Sequence, residues 1–375
     1  MISRRHFIAG TSAAAALAMG SATIGKTKAG SKPLRILVMG GTGFLGPHFV
    51  EAALGKGHHL TLFNRGKTNP GRFKDARYES IEQLQGDRKT DLSALENKTW
   101  DAVLDTSAYL PADVTRSATL LQKAVQQYLI ISTISVYAKT DKPGLDEDSE
   151  LIVLSDPAVD KVTNETYGGL KALSEKAAEA AMPGKVTVVR PGLIVGPGDH
   201  TDRFTYWPVR GARGGEILAP ESPDAPTQFI DVRDLANFIL HLIEQKNIGT
   251  FTADAQAGSI TMGKLINACL NASPKAGTPV WVPAAFLAES NVGPWMDLPC
   301  WIPAHGDEAG FGRRNTTKAL AAGLMYRPLD STVRDTLAYW NSLPAERRAK
   351  PGAGLSAERE AAVLAKWKLK NKATS

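Results

Sequence analysis

Leu34-Arg-Ile-Leu-Val-Met39 is followed directly by Gly40-Gly-Thr-Gly43-Phe-Leu-Gly46, and an amphipathic stretch from Pro47 to Leu54 comes next. This order of apolar run, glycine-rich turn and amphipathic run predicts a strand, a tight turn and a helix. Such a turn brings free backbone N–H groups at a helix N-terminus up to a phosphate. The stretch therefore predicts a dinucleotide-binding site, and a purely structural turn is the alternative.

The three glycines of this turn have separate predicted tasks. Gly40 allows the tight turn, Gly43 lets the backbone approach a pyrophosphate, and Gly46 lets the helix pack on its strand. We expect the backbone at Phe44 and Leu45 to take part in the same contact. The spacing is G-x-x-G-x-x-G and differs from the G-x-G-x-x-G of many dehydrogenases.

Predicted strands and helices alternate up to about residue 198. Strands are predicted at 34–39, 59–63, 82–87, 100–105, 128–132 and 185–190, and the clearest helices at 112–125 and 167–181. This alternation predicts an α/β fold of the Rossmann type, with a doubly wound parallel sheet and right-handed crossovers.

The residue composition and periodicity of the sequence change after Gly196-Pro-Gly198. Residues 199–227 are rich in Gly, Pro, Arg and aromatic residues, and 228–234 read as a short strand that enters a helix. We expect a nucleotide-binding domain over 33–198 and a smaller C-terminal substrate lobe over 199–345, with 228–254 returning to the core. Residues 346–375 are predicted to form a C-terminal helix and a solvated basic tail.

Composition excludes several classes of protein. The chain has 375 residues, 43% of them hydrophobic, which is enough for a sizeable core. Its formal net charge is +6, and removal of the first 29 residues would leave +2, too little to favour nucleic acid as a partner. Cys269 and Cys300 are the only cysteines and have no metal-ligand spacing, so we expect no metal site and a buried free thiol at Cys269.

The N-terminus reads as an export signal. Arg4 and Arg5 precede a weakly apolar run from Ala9 to Gly25, and this pattern resembles a bacterial twin-arginine (Tat) signal. The run is too rich in small and polar residues to predict a transmembrane helix. We therefore expect residues 1–30 to be a Tat signal peptide, cleaved during export to the periplasm, with no stable membrane insertion afterwards. A cytoplasmic chain is the alternative.

Tyr167-Gly-Gly-Leu-Lys171 carries the second chemical signal. The spacing of four places Tyr167 and Lys171 on one helix face, where a nearby ammonium favours the phenolate of a tyrosine that acts as acid and base. The segment from Ile131 to Tyr137 follows the fifth predicted strand, and a hydroxyl there can hold a substrate oxygen beside Tyr167. Gly168 and Gly169 are unusual inside a helix; they either leave room for a bulky substrate or mark a late helix start.

Together these residues resemble the extended short-chain dehydrogenases/reductases of the NAD-dependent epimerase/dehydratase family, over roughly residues 33–330. The matching positions are the glycine turn, Gly86-Asp87, Ser132 to Tyr137, Tyr167-x-x-x-Lys171, Arg190-Pro191, Gly196-Pro-Gly198 and Phe229 to Asp234. The resemblance implies an enzyme in which Thr133, Tyr167 and Lys171 are catalytic and Lys171 also holds the nicotinamide ribose.

The resemblance also implies which residues bind the cofactor. Asp87 would meet the adenine, and Asn64, Ser107 and Pro191 would line the same site. The second strand ends without the acidic residue that takes the 2′-hydroxyl of NAD. Arg65 follows at that point, with Lys67 close behind, so NAD(P) is expected with NADP slightly favoured. A solvated Arg65 is the alternative.

His200, Arg203 and Trp207 are the predicted substrate residues. They lie in Asp199 to Pro208, a segment that combines aromatic faces with hydrogen-bonding groups and therefore suits a sugar. The alternative is that the aromatic residues of this segment only seat the second lobe.

These observations predict an exported epimerase or dehydratase acting on a carbohydrate or polyol-like small molecule. The periplasm offers no obvious pool of NAD(P), so a tightly held cofactor regenerated in each turnover is expected. Two alternatives remain. One is a cytoplasmic NADPH reductase. The other is a non-catalytic nucleotide- or RNA-binding protein, because Leu62 to Lys67 with Gly86-Asp-Arg88 also resembles a chloroplast RNA-associated branch of the superfamily.

Overall fold

The computed structural model describes residues 32–374. The predicted signal peptide, residues 1–30, lies outside the described residues. Eleven strands occur in the described part of the chain: β1 Arg35–Met39, β2 His59–Asn64, β3 Glu82–Gln85, β4 Ala102–Asp105, β5 Gln127–Ile131, β6 Val186–Pro191, β7 Ile194–Val195, β8 Gly215–Pro220, β9 Ile230–Asp231, β10 Gly249–Ala253 and β11 Gly277–Val282.

The α-helices of the described residues alternate with these strands at first and dominate the C-terminal third. They are α1 Leu45–Gly55, α2 Pro111–Leu121, α3 Asn164–Ala181, α4 Tyr206–Arg213, α5 Val232–Glu244, α6 Met262–Asn271, α7 Ala284–Glu289, α8 Thr317–Ala321, α9 Leu329–Ser342, α10 Ala345–Arg348 and α11 Ala357–Thr374.

Seven of the strands form one parallel sheet in the order β10-β6-β5-β4-β1-β2-β3. Side chains alternate between its two faces along β1. Ile36 and Val38 are buried in a core with residues of α1 and α5, whereas Leu37 and Met39 are buried in a second core with residues of α2 and α3. Helices on both faces confirm the predicted doubly wound fold.

A further core lies in the C-terminal part of the chain. It contains buried residues of α4, α6 and α11 together with the small parallel pair β8–β11. This core forms the predicted smaller lobe, while β10 pairs with β6 and so returns the chain to the main sheet. Residues from 33 onward form one compact unit, so the boundaries at 198 and 345 stay predictions.

Two elements differ from the sequence prediction. The predicted strand at 228–234 is only the two-residue β9, because the Asp231 side chain accepts a hydrogen bond from the Arg233 N–H (2.8 Å) and caps α5. The predicted C-terminal tail is helical as far as it is described, because α11 continues to Thr374, and residues 368–372 are exposed. Trp367 packs on Phe286, with ring centroids 4.9 Å apart, and Lys368 pairs with Glu216 at 2.5 Å.

Both cysteines are free, buried thiols, as predicted for Cys269. Across residues 32–374, the helices are all too short or too polar to cross a membrane.

Candidate active site

One cleft of about 940 Å³ opens along the carboxyl ends of β1, β2, β4 and β5. Parallel α/β sheets bind ligands at this edge. Of the sixteen predicted site residues, all except Trp207 line the cleft: Gly40, Gly43, Phe44, Leu45, Gly46, Asn64, Arg65, Asp87, Ser107, Thr133, Tyr167, Lys171, Pro191, His200 and Arg203. Residues that lie up to 163 positions apart in the sequence therefore share one cavity.

The glycine turn has the backbone that its sequence predicts. Gly40 has a φ of +87°, a conformation that favours glycine. A Cβ at Gly43 would meet no protein atom within 4 Å, so the space beside it is open to a ligand. At Gly46 a Cβ would lie 2.1 Å from the Gly41 carbonyl oxygen, so this glycine packs the first turn of α1 against the loop itself and not against the strand.

The N-terminus of α1 is built to receive an anion. No side chain caps it, and its first turn has no acidic residue. Its first N–H groups and the positive end of its dipole are therefore available to a phosphate. With the open space at Gly43, this cradle fits the pyrophosphate of a nicotinamide nucleotide.

Arg65, Lys67 and Asp87 line the far end of the cleft, beyond β2 and β3. The Asn64 side chain is held by the Thr42 hydroxyl, which donates to Asn64 Oδ1 at 3.3 Å. Asp87 Oδ1 accepts from the Lys89 N–H at 3.0 Å. Arg65 itself is exposed, so its guanidinium is free to reach a ligand at this end.

A buried ion pair forms the floor of the cleft. Arg88 donates from both terminal nitrogens to the two oxygens of Asp105, each at 2.8 Å, and Tyr128 donates to the same carboxylate at 2.7 Å. Burial acts to raise the pKa of Asp105, but Arg88, Tyr128 and the Ser107 N–H together hold that pKa below its usual value. The predicted cofactor residue Ser107 is positioned by this network, because its hydroxyl accepts from Arg88 at 3.1 Å.

Tyr167 and Thr133 meet in the middle of the cleft. Helix α3 begins one turn before Tyr167, where Thr163 and Thr166 cap its N-terminus reciprocally. Burial raises the pKa of Tyr167, while a hydrogen bond with Thr133 and the nearby positive charge of Arg203 act in the opposite direction. A phenol hydrogen-bonded to a hydroxyl at this sheet edge can exchange a proton with a substrate oxygen.

Lys171 lies one turn further along α3 and is buried. Its Nζ donates to the backbone carbonyls of Ala108 (2.7 Å) and Ile131 (2.5 Å). Burial lowers the pKa of Lys171 to about 8, against the attraction of Asp105. The Lys171 ammonium is directed at the two carbonyls, and the cation that acts to lower the pKa of Tyr167 is Arg203. That Lys171 lowers the pKa of Tyr167 stays a prediction.

Both explanations offered by the sequence for Gly168 and Gly169 are wrong. The helix is already formed before them, so they do not mark its start. They leave no room for a substrate either. A Cβ at Gly168 would lie 2.0 Å from the Ser135 carbonyl oxygen, and one at Gly169 would lie 2.4 Å from Leu154. Gly168 instead lets α3 approach the loop that carries Thr133, and Gly169 lets it approach Leu154.

Trp207 is a correction to the predicted substrate residues. Its indole is only 1% exposed and belongs to the C-terminal core, with the N–H donating to the Pro299 carbonyl at 2.6 Å. Its neighbours Phe204 and Tyr206 are buried in the same core. Trp207 therefore packs in the core of the second lobe, as the alternative interpretation predicted.

Four aromatic residues of the cleft were not predicted: Phe63, Tyr109, Trp295 and Phe311. Tyr109 lies with its ring centroid 6.5 Å from that of Tyr167, and Trp295 and Phe311 pack edge to face with their centroids 5.6 Å apart. Trp295 and Phe311 come from an irregular segment with no periodic pattern. Among residues 32–374 no cluster of side chains has the composition of a metal site.

Comparison with known proteins identifies the family. The model of the NAD dependent epimerase/dehydratase family matches residues 36–252. The chain belongs to this family. It is accordingly an enzyme of the extended short-chain dehydrogenase/reductase type, and the resemblance seen in the sequence is confirmed in this respect.

Individual relatives are more distant. The chloroplast stem-loop binding protein of 41 kDa b from Arabidopsis thaliana is 30% identical over 256 residues, a match that spans 64% of each chain and so less than two thirds of that relative. The NAD⁺ complex of the Bordetella bronchiseptica enzyme WbmH has a TM-score of 0.61 at 17% identity, covering 83% of this chain and 99% of that one.

A third similar protein is the UDP-glucuronic acid 4-epimerase of Bacillus cereus, solved with NAD. It has a TM-score of 0.57 at 17% identity and covers 81% of this chain and 98% of that one. At this identity the two solved structures show the fold alone.

Proposed function

We propose that the protein is an NAD(P)-dependent epimerase or dehydratase for a carbohydrate or polyol-like substrate. The observation that carries this proposal is the meeting of the glycine turn with Thr133, Tyr167 and Lys171 in one cleft. Family membership supports nucleotide-dependent chemistry, and the neighbour that acts on a UDP-sugar supports the substrate class.

A bound nicotinamide nucleotide supplies hydride exchange at the substrate carbon. The N–H groups at the start of α1 would hold its pyrophosphate, beside the open space at Gly43, and the N–H donor that Lys171 does not use on Ala108 and Ile131 would hold its ribose. Ser107 and Pro191 line the same cleft. Arg65 and Lys67 favour the 2′-phosphate of NADP, and their position at the end of β2 supports this preference.

The proton is moved by this chain's own side chains. Thr133 orients the substrate hydroxyl or carbonyl, and Tyr167 takes or returns the proton at that oxygen. Arg203 stabilises the phenolate that results, as its effect on Tyr167 indicates. Because the cleft opens between the sheet and the aromatic pair Trp295–Phe311, a bound substrate would displace water from the reacting atoms.

Two measurements test this function. Mass spectrometry of the denatured, purified protein should find released NADP or NAD. Tyr167→Phe should keep the fold and the nucleotide but lose about 10²–10⁴-fold in turnover, the usual contribution of a general acid–base. Protein without nucleotide, or near-parental turnover by Tyr167→Phe once a substrate is found, would refute the assignment.

The location is a separate part of the proposal. Arg4 and Arg5 before the weakly apolar run support export through the Tat machinery to the periplasm, and export in turn favours a cofactor that is held tightly and regenerated in each turnover. Changing both arginines to lysine should retain the precursor in the cytoplasm. Periplasmic recovery of the double variant equal to the parent would contradict export by this route.

Nucleic-acid binding is the second candidate, favoured by the name of the Arabidopsis relative. Its discriminating test is titration of a stem-loop RNA at two salt concentrations. We expect no binding that survives physiological salt, because the segment after residue 29 has a net charge of only +2. Tight binding that falls steeply with salt would favour this candidate over the enzyme.

A further inference from the structure

Arg203 is a cation of the cleft whose two terminal nitrogens are not used by the protein. It lies on the loop between β7 and α4 and is partly buried. Its Nε donates to the Thr201 hydroxyl at 3.2 Å. Within residues 32–374, its two terminal nitrogens have neither a hydrogen-bond acceptor nor a carboxylate at salt-bridge distance.

The other buried cations of the cleft have partners in the protein, although Lys171 keeps one N–H donor for the ribose of the proposed cofactor. Arg88 is held by both oxygens of Asp105, and Lys171 by two backbone carbonyls. Arg203 therefore differs from them in presenting an unpaired guanidinium fork to the cavity. A partly desolvated fork of this kind matches the geometry of a carboxylate or phosphate, which it binds through two parallel hydrogen bonds.

Trp295 fixes the orientation of that fork. The guanidinium carbon of Arg203 lies 5.0 Å from the centroid of the Trp295 ring, as in a cation–π contact. Trp295 has a φ of +68°, which a bulky residue adopts only when the surrounding structure imposes it. The backbone N–H of Trp295 donates to the backbone carbonyl of Trp301 at 3.1 Å, and Phe311 packs edge to face on the Trp295 indole. Backbone strain at a cleft residue is typical of a ligand-binding element.

The fork also lines the same cleft as Tyr167, the reacting group of the proposed function, and its charge acts to lower the pKa of that phenol. We propose that Arg203 binds an oxyanion, a carboxylate or a phosphate, that the substrate carries near its reacting carbon. This inference rests on the proposed function and narrows it from carbohydrates in general to acidic ones. Arg203 is thus a specificity-determining residue, and Trp295 is the residue that positions it.

The test compares charged and neutral sugars on the full-length protein saturated with NADP. Isothermal titration calorimetry is run with D-glucuronate, D-glucose 6-phosphate and D-glucose, and with acetate and inorganic phosphate alone. The variants are Arg203→Met and, as a matched control, Arg334→Met, which removes an exposed arginine of α9. The glucuronate and phosphate arms distinguish the two kinds of oxyanion.

We expect at least one oxyanion to bind the parent saturably, and Arg203→Met to weaken that binding about tenfold or more, as loss of a charge-assisted pair does. Arg334→Met should bind like the parent, and D-glucose should not distinguish Arg203→Met from the parent. Arg203→Lys keeps the charge and loses the fork, so it should be intermediate. If Arg203→Met fails to hold nucleotide, Arg203→Lys is the variant that tests the proposal.

The proposal is overturned if no oxyanion binds the parent, or if the Arg203 variants bind as tightly as the parent does. Nucleotide content is measured in the same samples. A parent protein that holds no nucleotide would refute the proposed function, whereas a nucleotide-loaded protein that ignores every oxyanion would refute only the role of Arg203.

Discussion

Gly168, the residue after Tyr167, lies so close to Ser135 that a Cβ would come within 2.0 Å of the Ser135 carbonyl oxygen. The same loop carries Thr133, whose hydroxyl accepts from the Ser135 N–H at 3.1 Å. Contact between helix and loop therefore sets the distance between the two proposed catalytic hydroxyls. The close contact between helix and loop, and not a need for flexibility, explains why residue 168 is a glycine inside a helix.

Replacing Gly168 by alanine should thus harm both stability and catalysis. Alanine normally favours a helix over glycine by about 1 kcal/mol, but here the helix or the loop must move to admit the methyl group. We expect a net loss of about 1–3 kcal/mol, the usual range for overpacking, and a fall in turnover larger than the fall in nucleotide content.

Urea unfolding and a substrate assay measure these two effects. The control is Gly55→Ala in α1, where a Cβ would meet nothing within 4 Å, and it should be neutral or slightly stabilising. Equal behaviour of the two variants would mean that the Gly168–Ser135 contact is unimportant.

A side chain at Gly43 should remove the cofactor without unfolding the protein. The space beside Gly43 is empty of protein atoms and its φ is not left-handed, so valine is tolerated by the chain itself. It would, however, occupy the place proposed for the pyrophosphate. Gly43→Val should therefore keep the parental fold yet release little or no nucleotide on denaturation.

Gly71→Val serves as its control, because Gly71 is exposed, equally open and outside the cleft. That variant should retain the parental nucleotide content. If Gly43→Val retained it too, the glycine turn would have only a structural role.

Arg65→Asp should shift cofactor preference from NADP toward NAD. An aspartate at this position would repel a 2′-phosphate and accept from a 2′-hydroxyl. Loss of one charge-assisted hydrogen bond corresponds to about 1.5–3 kcal/mol, so the NADP to NAD affinity ratio should fall roughly 10- to 100-fold. Lys74→Asp makes the same charge change on an exposed residue outside the cleft and should leave the ratio unaltered. An unchanged NADP to NAD affinity ratio in Arg65→Asp would show that Arg65 is a solvated residue that does not contact the cofactor.

How much of this site the sequence reveals depends on the range of the interactions. The glycine turn and Tyr167-x-x-x-Lys171 are local patterns, so their spacing alone predicts a turn and a shared helix face. The parallel, doubly wound character of the sheet follows from the alternation of strands and helices, which is also a local property. The role of Gly168 is different, because it depends on a carbonyl of Ser135 that no local pattern connects to it.

The same reasoning explains the aromatic residues. Trp207 and Trp295 are both tryptophans near glycine or proline, and composition does not distinguish them. Trp207 falls on the buried face of α4 and becomes core, whereas Trp295 is held at a positive φ by its contact with Trp301 and faces the cleft. Only the packing of the C-terminal lobe decides which of the two meets a ligand.

The Arg88–Asp105 ion pair should make a pH-sensitive contribution to stability near the cleft. Asp105 is fully buried, and Arg88→Met would leave its carboxylate without a counter-charge. Breaking a buried pair on one side typically costs about 3–5 kcal/mol of the free energy of unfolding. Arg77→Met removes a largely exposed arginine, 3.8 Å from Glu51, and should cost less than about 1 kcal/mol.

The sign of the pH dependence follows from the direction of the shift. The folded-state pKa of Asp105 lies below its unfolded value of about 3.9, so the pair's contribution is present above that pH and is lost as the pH falls through the folded pKa. In Arg88→Met the burial of Asp105 is unopposed by Arg88 and its pKa rises. The difference in unfolding free energy between parent and variant should therefore be widest near pH 7 and should narrow on acidification toward pH 4.

Urea unfolding at a series of pH values measures this difference. The double variant Arg88→Met/Asp105→Asn, which removes both charges, should recover part of the loss at pH 7. A difference that stayed constant from pH 7 to pH 4 would show that the ion pair contributes through packing and not through charge.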